Sequence, residues 1–170
     1  DALLSQQRIM QQKTTLRLVA TREFAARVLA PGLIGLLGGD AANVVPQITS
    51  DEMGVEHALL SGEADLGFDC GRPGSPSVRF RLVRKEPLVV VAAPSLQKRH
   101  RLRGLGDLLQ LPHLYYQRIS PARVLGLSHE VSILGASFND IATTRAACVA
   151  GLGWAILPSY TVRDEVRSNE

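Results

Sequence analysis

The stretch Ala150–Pro158, AGLGWAILP, decides the fold class, because its GLG resembles the glycine-rich loop of a nucleotide-binding enzyme. A dinucleotide-binding fingerprint requires a strand, then GxGxxG, then a helix whose N-terminus holds the pyrophosphate. Here a helical pattern, SFNDIATTRAACVAG, precedes the glycines and a strand pattern, GWAILP, follows them, and Ile156 replaces the third glycine. We therefore expect Gly151 to end a helix with positive φ and Gly153 to permit close packing. No nucleotide site is predicted here.

Upstream of this stretch, strand and helix patterns alternate along the first half of the chain. Strands are predicted at 16–20, 43–49 and 64–70, with helices at 23–37 and from about residue 51 to Leu60 between them. Thr21 is expected to cap the first helix, and Ser50 or Asp51 the second. Pro31 should kink or locally unwind the first helix. The order βαβαβ favours a parallel sheet with crossover helices.

The second half of the chain repeats this alternation. Residues 78–93 are long enough for two strands separated by Pro87, which cannot donate to a sheet ladder. A short helix (LGDLLQL), two strands (HLYYQR and SHEVSIL), a helix capped by Asn139 or Ser137, and the strand GWAILP are then predicted. The chain is therefore expected to form two α/β lobes, 14–85 and 86–160, joined near Arg84–Pro87.

Composition and charge exclude several classes of protein. With 170 residues, 45% hydrophobic and 21% charged, the chain has a globular composition, and no apolar run is long enough to span a membrane. The net charge of +3 is too small and too dispersed to indicate nucleic-acid binding. For the basic run QKRHRLR at 97–103, a solvated loop is favoured over a phosphate contact. Cys70 and Cys148 belong to no metal or disulfide pattern, and free thiols suit the cytoplasm.

The residue types required for catalysis or metal binding do not occur in a recognisable pattern. The sequence contains no GxSxG, Walker or HExxH motif, and His57, His100, His113 and His129 are not at metal-ligand spacing. Each histidine is expected to be a surface or partly packed side chain. The helix macrodipole explains Asp51-Glu52 at a helix start better than a pair of catalytic carboxylates does. No catalytic residue, metal or cofactor is predicted.

Candidate binding residues follow the carboxyl ends of the predicted strands, where ligands collect in open α/β sheets. In the first lobe these are Thr21-Arg22, Ser50-Asp51-Glu52 and Asp69-Cys70. In the second lobe they are Tyr115-Tyr116-Gln117 and Ser137-Phe138-Asn139. We expect the two groups to face one another across a cleft between the lobes. Cys70 is a candidate redox sensor, although an inert small side chain is favoured.

Six motifs in order resemble one known family. The segments LRLVAT, REFAARVLAPGLIGLL, LLSGEADLGF, PLVVVAAPS, GLGDLLQLP and CVAGLGWAILP, spread over about residues 14–160, are similar to the effector-binding domain of LysR-type transcriptional regulators. The usual HPL of that family is HRL here, at His100–Leu102. No single motif is specific, and their order and spacing carry the resemblance.

The resemblance implies a cytoplasmic regulator with a two-lobed fold of the type-2 periplasmic-binding-protein kind. A small-molecule inducer would bind between the lobes, and each lobe would hold a mostly parallel sheet flanked by helices. The inducer contacts implied by position are Thr21, Arg22, Ser50, Asp51, Glu52, Phe68, Asp69, Tyr116, Phe138 and Asn139. Residues 1–13 would end a linker helix from a winged helix-turn-helix domain, which alone would contact promoter DNA. The full-length protein would be a homodimer or homotetramer with no membrane partner.

Three departures from the family pattern qualify these expectations. Glu52 stands where a small hydroxyl residue is frequent, which disfavours a simple carboxylate inducer unless Arg22 or Arg118 compensates. The DNA-binding module is absent from this sequence, and residues 161–170 would be only the start of the segment that returns to the first lobe. Two alternatives share the architecture: an exported solute-binding protein, and a transferase that would need a phosphate site.

Overall fold

The computed structural model of the chain describes residues 13–37, 39, 43–131 and 135–168. The chain forms two compact units, Asp1–Leu82 (unit 1) and Val83–Glu170 (unit 2). Residues 1–12 of the predicted linker helix lie outside the described part, and Lys13 is in no helix.

Unit 1 is a three-stranded parallel sheet with helices in its connections. Its elements are β1 Thr14–Ala20, α1 Arg22–Phe24, a π-helical segment Ala25–Leu29, α2 Ala30–Leu37, β2 Val44–Ser50, α3 Val55–Leu60 and β3 Leu66–Phe68. The strand order is β2-β1-β3, so β1 is central. Val19 of β1 packs against Val55 and Ala58 of α3 to form the core of this unit. The predicted βαβαβ order and the parallel pairing are confirmed.

Pro31 has the local effect expected of it. It lies in α2 just after the π-helical segment Ala25–Leu29, where the N–H of Ala30 bonds to the carbonyl of Ala25, five residues back. A proline within a helix lacks a donor, and its ring crowds the carbonyl four residues before it. The wider π turn relieves this crowding locally, as π-bulges do within helices. The helix continues unbroken to Leu37.

Residues 78–87 form no strand, which contradicts the prediction of two strands between 78 and 93. Only Leu88–Ala92 (β4) is a strand, and the segment before it leaves Phe80, Leu82 and Val83 exposed. A strand requires a partner for its backbone groups, and among the described residues none pairs with 78–87 in a ladder. The alternating pattern VRFRL is therefore compatible with a strand but does not produce one here.

Unit 2 contains two small sheets and several short helices. Its elements are β4, α4 Pro94–His100, α5 Leu105–Leu108, β5 Tyr115–Tyr116, α6 Pro121–Leu125, β6 Ser137–Phe138, α7 Ile141–Val149, β7 Trp154–Pro158, a 3₁₀ turn Ser159–Thr161 and α8 Arg163–Ser168. β5 and β6 are parallel, whereas β4 and β7 are antiparallel. The predicted strand SHEVSIL is wrong for residues 128–131, and 132–134 lie outside the described residues. The segment after Thr161, for which no helix or strand was predicted, contains α8.

The β7 strand is the centre of the core of unit 2. All five of its residues are buried, and Ala155 and Leu157 join Leu114, Ile141 and Cys148 in one hydrophobic cluster. Gly151 has φ 76°, as expected of a residue that ends α7 in the left-handed region. A Cβ on Gly153 would lie 2.2 Å from the carbonyl oxygen of Pro112, so this glycine permits close backbone packing. Both roles assigned to these glycines are confirmed.

Candidate functional site

The carboxyl ends of the three strands of unit 1 lie at one edge of the sheet. Ala20 is aligned with Ser50 in the register of β1 with β2, and with Phe68 in the register of β1 with β3. The N–H of Asp51 also bonds to the carbonyl of Ala20 at 2.9 Å. The register therefore places the residues that follow each strand, predicted as binding residues, next to one another within this unit.

The helix that follows β1 is capped by Glu52 and not by Thr21. Glu52 Oε1 accepts the backbone N–H of Arg22 at 2.9 Å, which places a carboxylate at the positive end of the helix. Thr21 is 1% exposed, and within the described part of the chain its hydroxyl has no hydrogen-bond partner. The predicted cap is therefore wrong, because a carboxylate distant in sequence takes that donor. The Arg22 side chain is exposed and forms no ion pair with any described residue.

The turn after β2 is closed by Asp51. Its Oδ1 accepts the N–H groups of Met53 at 2.9 Å and Gly54 at 2.8 Å, and these bonds hold the pKa of Asp51 below its usual value. The helix α3 begins only at Val55, and no side chain caps it. The prediction that Ser50 or Asp51 caps this helix is therefore wrong, since Asp51 bonds to the turn before it. Ser50 and Asp51 are both exposed at the edge of the sheet.

The end of β3 contributes an aromatic ring and a carboxylate to the same edge. Phe68 stacks on Phe24 of α1, with ring centroids 5.5 Å apart and planes 25° from parallel. Asp69 is exposed, and its Oδ1 accepts the N–H of Cys70 at 2.6 Å. Cys70 is exposed and is in no disulfide bond. The first unit thus combines polar groups with an aromatic surface.

In unit 2 the β5–β6 pair brings the other predicted residues together. Tyr116 is aligned with Phe138, and the N–H of Gln117 bonds to the carbonyl of Phe138 at 3.0 Å. Tyr116 is buried, Phe138 is half-buried, and Asn139 is exposed with no hydrogen bond to another described residue. Asp140, and neither Asn139 nor Ser137, caps α7: its Oδ1 accepts the N–H of Ala142 at 2.9 Å. Asn139 is therefore not used as a cap.

His113 is a buried residue that sequence analysis missed. It is 2% exposed, and its ring lies 4.3 Å from that of Trp154 and 5.9 Å from that of Tyr115, measured between centroids. Nδ1 has no hydrogen-bond partner in the described part, and burial lowers the pKa of His113. The expectation of a surface or partly packed histidine is wrong here. The apolar and aromatic neighbours of His113 in LPHLYY could have indicated that this histidine is buried.

Cys148 is a buried thiol of a different kind from Cys70. Its Sγ lies 3.5 Å from the carbonyl oxygen of Val91 and 3.6 Å from that of Gly153. Burial raises the pKa of Cys148 from 9.0 to about 11, despite opposing backbone hydrogen bonds from Ala93 and Ala155. The neutral thiol therefore contributes stability that is present below pH 9.0 and is lost as the pH rises toward about 11.

We expect iodoacetamide to alkylate Cys70 at least about tenfold faster than Cys148 in the folded protein, because the thiolate is the reactive species. Peptide mass spectrometry after timed labelling at mildly alkaline pH measures both rates. In urea the two rates should converge, which is the internal control. Equal rates in the folded protein would contradict the burial of Cys148.

Neither a metal-binding cluster nor a membrane-spanning helix occurs in the described part of the chain. No group of three or more His, Cys, Asp or Glu side chains there is arranged to hold a metal ion. Among the same residues, no helix is both long and apolar enough to cross a bilayer.

The two units, with candidate ligand-binding residues at the carboxyl ends of their strands, define an α/β ligand-binding domain. The LysR substrate binding domain family matches residues 11–170, and the chain belongs to this family. The match supports the regulator interpretation over a solute-binding protein or a transferase.

Solved structures share the fold at low sequence identity. The effector domain of the transcriptional regulator AmpR of Pseudomonas aeruginosa is 18% identical with a TM-score of 0.78, over 91% of this chain and 75% of that one. CrgA, a LysR-type transcriptional regulator from Neisseria meningitidis, is 16% identical with a TM-score of 0.75, over 98% of this chain and 57% of that one. Because the sequence identities are this low, the two structural similarities show a shared fold and nothing further.

One curated protein with a similar sequence has a name that describes a transport component. The phosphonates import ATP-binding protein PhnC of Anaeromyxobacter dehalogenans (strain 2CP-C) is 28% identical over an alignment of 127 residues. The alignment covers 69% of this chain. The chain spans only 25% of the length of that relative. This sequence contains no Walker motif.

Proposed function

We propose that this chain is the inducer-sensing domain of a cytoplasmic LysR-type regulator. It binds a small metabolite without transforming it and signals to a winged helix-turn-helix domain that carries the DNA contacts. The family match over residues 11–170 is the single observation that carries this proposal. The regulator CrgA, of which this chain covers 57%, supports a place within a longer protein.

The proposal includes self-association into a homodimer or homotetramer. The helix α2 supports it, because Ile34 is 79% exposed and Leu37 is 38% exposed. On α7, Val149 is 42% exposed. Exposed apolar side chains on helices are suited to subunit contacts, since burying them between copies removes apolar surface from water.

The effector-binding residues that we propose are those at the strand ends of both units. In unit 1 they are Thr21, Arg22, Ser50, Asp51, Glu52, Phe68 and Asp69, and in unit 2 Tyr116, Phe138 and Asn139. The strand registers support this assignment because they align the ends of β1, β2 and β3, and those of β5 and β6. The stacked pair Phe24 and Phe68 supplies apolar contact.

Glu52 restricts which effector atoms the first unit accepts. Its carboxylate already takes the N–H of Arg22, the donor that an anionic ligand would otherwise use at the start of this helix. A second carboxylate close to Glu52 would be repelled. We propose that an acidic or polar effector group binds the Arg22 guanidinium, which has no ion-pair partner among the described residues. The Asn139 amide, which offers both donors and an acceptor, binds a neutral polar group.

We expect Arg22→Ala and Asn139→Ala each to weaken effector binding about tenfold or more, since each removes a hydrogen bond to the ligand. Both side chains are exposed, so the free energy of unfolding should stay within about 1 kcal/mol of that of the wild type. A thermal-shift screen of metabolites identifies the effector, because a ligand that binds only the folded state raises Tm. Calorimetric titration then measures the affinity of each variant.

The matched control is Arg79→Ala, which removes an exposed arginine of unit 1 away from the strand ends. It should bind the effector as the wild type does. Unchanged affinity in both Arg22→Ala and Asn139→Ala would show that the strand-end assignment is wrong. A screen hit that the protein converts chemically would refute the proposal of a purely sensory domain.

A further inference from the structure

A cavity in unit 2 lies apart from the strand ends. It has a volume of about 430 Å³ and lies where α4 ends and α5 follows. Its polar and charged lining comes from His100, Arg101, Arg103, Asp107 and Gln110. The site is open to solvent, and its polar and charged lining side chains are exposed.

The charge around this cavity is positive on balance, because Arg101 and Arg103 outnumber the single carboxylate, Asp107. Lys98 and Arg99 precede the three basic lining residues, and all of these side chains are exposed. Over the described ranges, none of these cations forms an ion pair with an acidic group. Asp107 lines the cavity, but its Oδ2 accepts the backbone N–H of Arg103 at 2.8 Å. Adjacent basic side chains that outnumber the nearby carboxylate attract an anion, most strongly at low ionic strength.

Helix electrostatics explain only part of this cluster. Lys98, Arg99 and His100 lie in the last turn of α4, where cations are favoured by the helix dipole. Arg101 is the C-cap of that helix, where the dipole also favours a cation, whereas Arg103 lies farther along the chain and is not explained in this way. Arg101 has a positive φ of 52°. Every other described residue with a positive φ is a glycine. A left-handed residue is a common helix ending, but it is usually glycine, so a residue with a Cβ is strained there.

We propose that this cavity binds a phosphorylated polyol, such as a sugar phosphate, at a second site separate from the strand ends. Guanidinium groups bind phosphate oxygens with paired, charge-assisted hydrogen bonds, which suits Arg101 and Arg103. The Asp107 carboxylate and the Gln110 amide supply acceptors and donors for hydroxyl groups. Asp107 repels a ligand that is anionic throughout, so the ligand carries its charge at one end. The loop predicted for the basic run 97–103 is wrong for residues 97–100, which lie in α4, and this proposal takes up the phosphate contact that was the alternative for the run.

Calorimetric titration of the 170-residue chain with ribose 5-phosphate, ribose and inorganic phosphate tests this proposal. Ribose 5-phosphate should bind with one-to-one stoichiometry and more tightly than phosphate, and ribose should not bind. Arg101→Gly and Arg103→Ala should each lower the affinity about tenfold or more. Arg101→Gly also relieves the left-handed backbone, so its loss of binding would not arise from loss of folding. Arg123→Ala, at an exposed position outside this cavity, should bind as the wild type does.

Four outcomes would overturn the proposal. One is the absence of binding by ribose 5-phosphate at millimolar concentration, and another is equal affinity in Arg101→Gly, Arg103→Ala and Arg123→Ala. A third is equal affinity for phosphate and ribose 5-phosphate, which would remove the polyol contacts. The fourth is tighter binding of a short DNA duplex through the same arginines, with a steep salt dependence, which would make this face a DNA contact. None of these results depends on the strand-end site, which Arg22→Ala and Asn139→Ala probe separately.

Discussion

Gly153→Ala should destabilise the protein by about 3 kcal/mol, toward the upper end of what overpacking costs. The added Cβ would lie 2.2 Å from the carbonyl oxygen of Pro112 and 3.0 Å from its carbonyl carbon. Both are backbone atoms, so no side-chain rotation relieves the contact. The strand cannot move away freely, because two hydrogen bonds hold Trp154 to this segment. The N–H of Trp154 donates to the carbonyl of Pro112 at 3.0 Å, and the carbonyl of Trp154 accepts the N–H of Leu114 at 2.8 Å. Urea unfolding followed by circular dichroism measures the change.

Gly106→Ala is the matched control for this prediction. Gly106 lies in α5, and a Cβ there meets nothing within 4 Å. Alanine in a helix should raise the free energy of unfolding by about 0.5–1 kcal/mol. If Gly153→Ala unfolds at the same urea concentration as the wild type, the close approach of the β7 start to Pro112 is not a feature of the folded protein.

Trp154→Ala should cost about 3–5 kcal/mol, the usual range for loss of a large buried aromatic side chain. Trp154 is 0% exposed and packs on His113, and its Nε1 donates to the carbonyl of Leu111 at 3.2 Å. The substitution would open a cavity in the core and leave that carbonyl without its donor. Trp154 is the single tryptophan of the sequence, so circular dichroism and not tryptophan fluorescence must report the unfolding.

Two further substitutions separate the contributions of packing and hydrogen bonding at this position. Trp154→Phe keeps an aromatic ring against His113 but removes the indole N–H, so it should cost less than Trp154→Ala. Leu152→Ala changes a side chain that is 62% exposed and should stay within about 0.5 kcal/mol of the wild type. A loss at Leu152 as large as that at Trp154 would contradict the placement of the core around β7.

The sequence predicted the order of elements better than the ends of the helices. Strands β1, β2, β3 and β7 lie where period-two or continuous apolar patterns predicted them, because such patterns reflect burial of local side chains. The predicted caps at Thr21, Ser50 or Asp51, and Asn139 or Ser137 are wrong. Which side-chain oxygen reaches a helix start depends on the folded arrangement as well as on the neighbouring sequence. For the helix at Arg22 that oxygen belongs to Glu52, 30 positions away.

The sequence predicted the positions of the candidate site residues. It did not predict which of their side chains are exposed and not already hydrogen-bonded within the fold. The rule that ligands gather at strand ends located Arg22 and Asn139, both of which are exposed and not used as caps. It did not reveal that the Thr21 hydroxyl is buried or that Asp51 is bound to its own turn. Those facts depend on side-chain direction, which the order of residues alone does not specify.

By itself, the sequence determined the alternation of helices and strands, the local unwinding at Pro31 and the left-handed turn at Gly151. These features arise from side-chain periodicity and from the backbone limits of proline and glycine, which are local. The tertiary structure alone decided that residues 78–87 form no strand, that His113 is buried against Trp154, and that Glu52 caps the helix at Arg22. Each of these depends on whether a partner distant in sequence is present at contact distance, and local pattern carries no information about that.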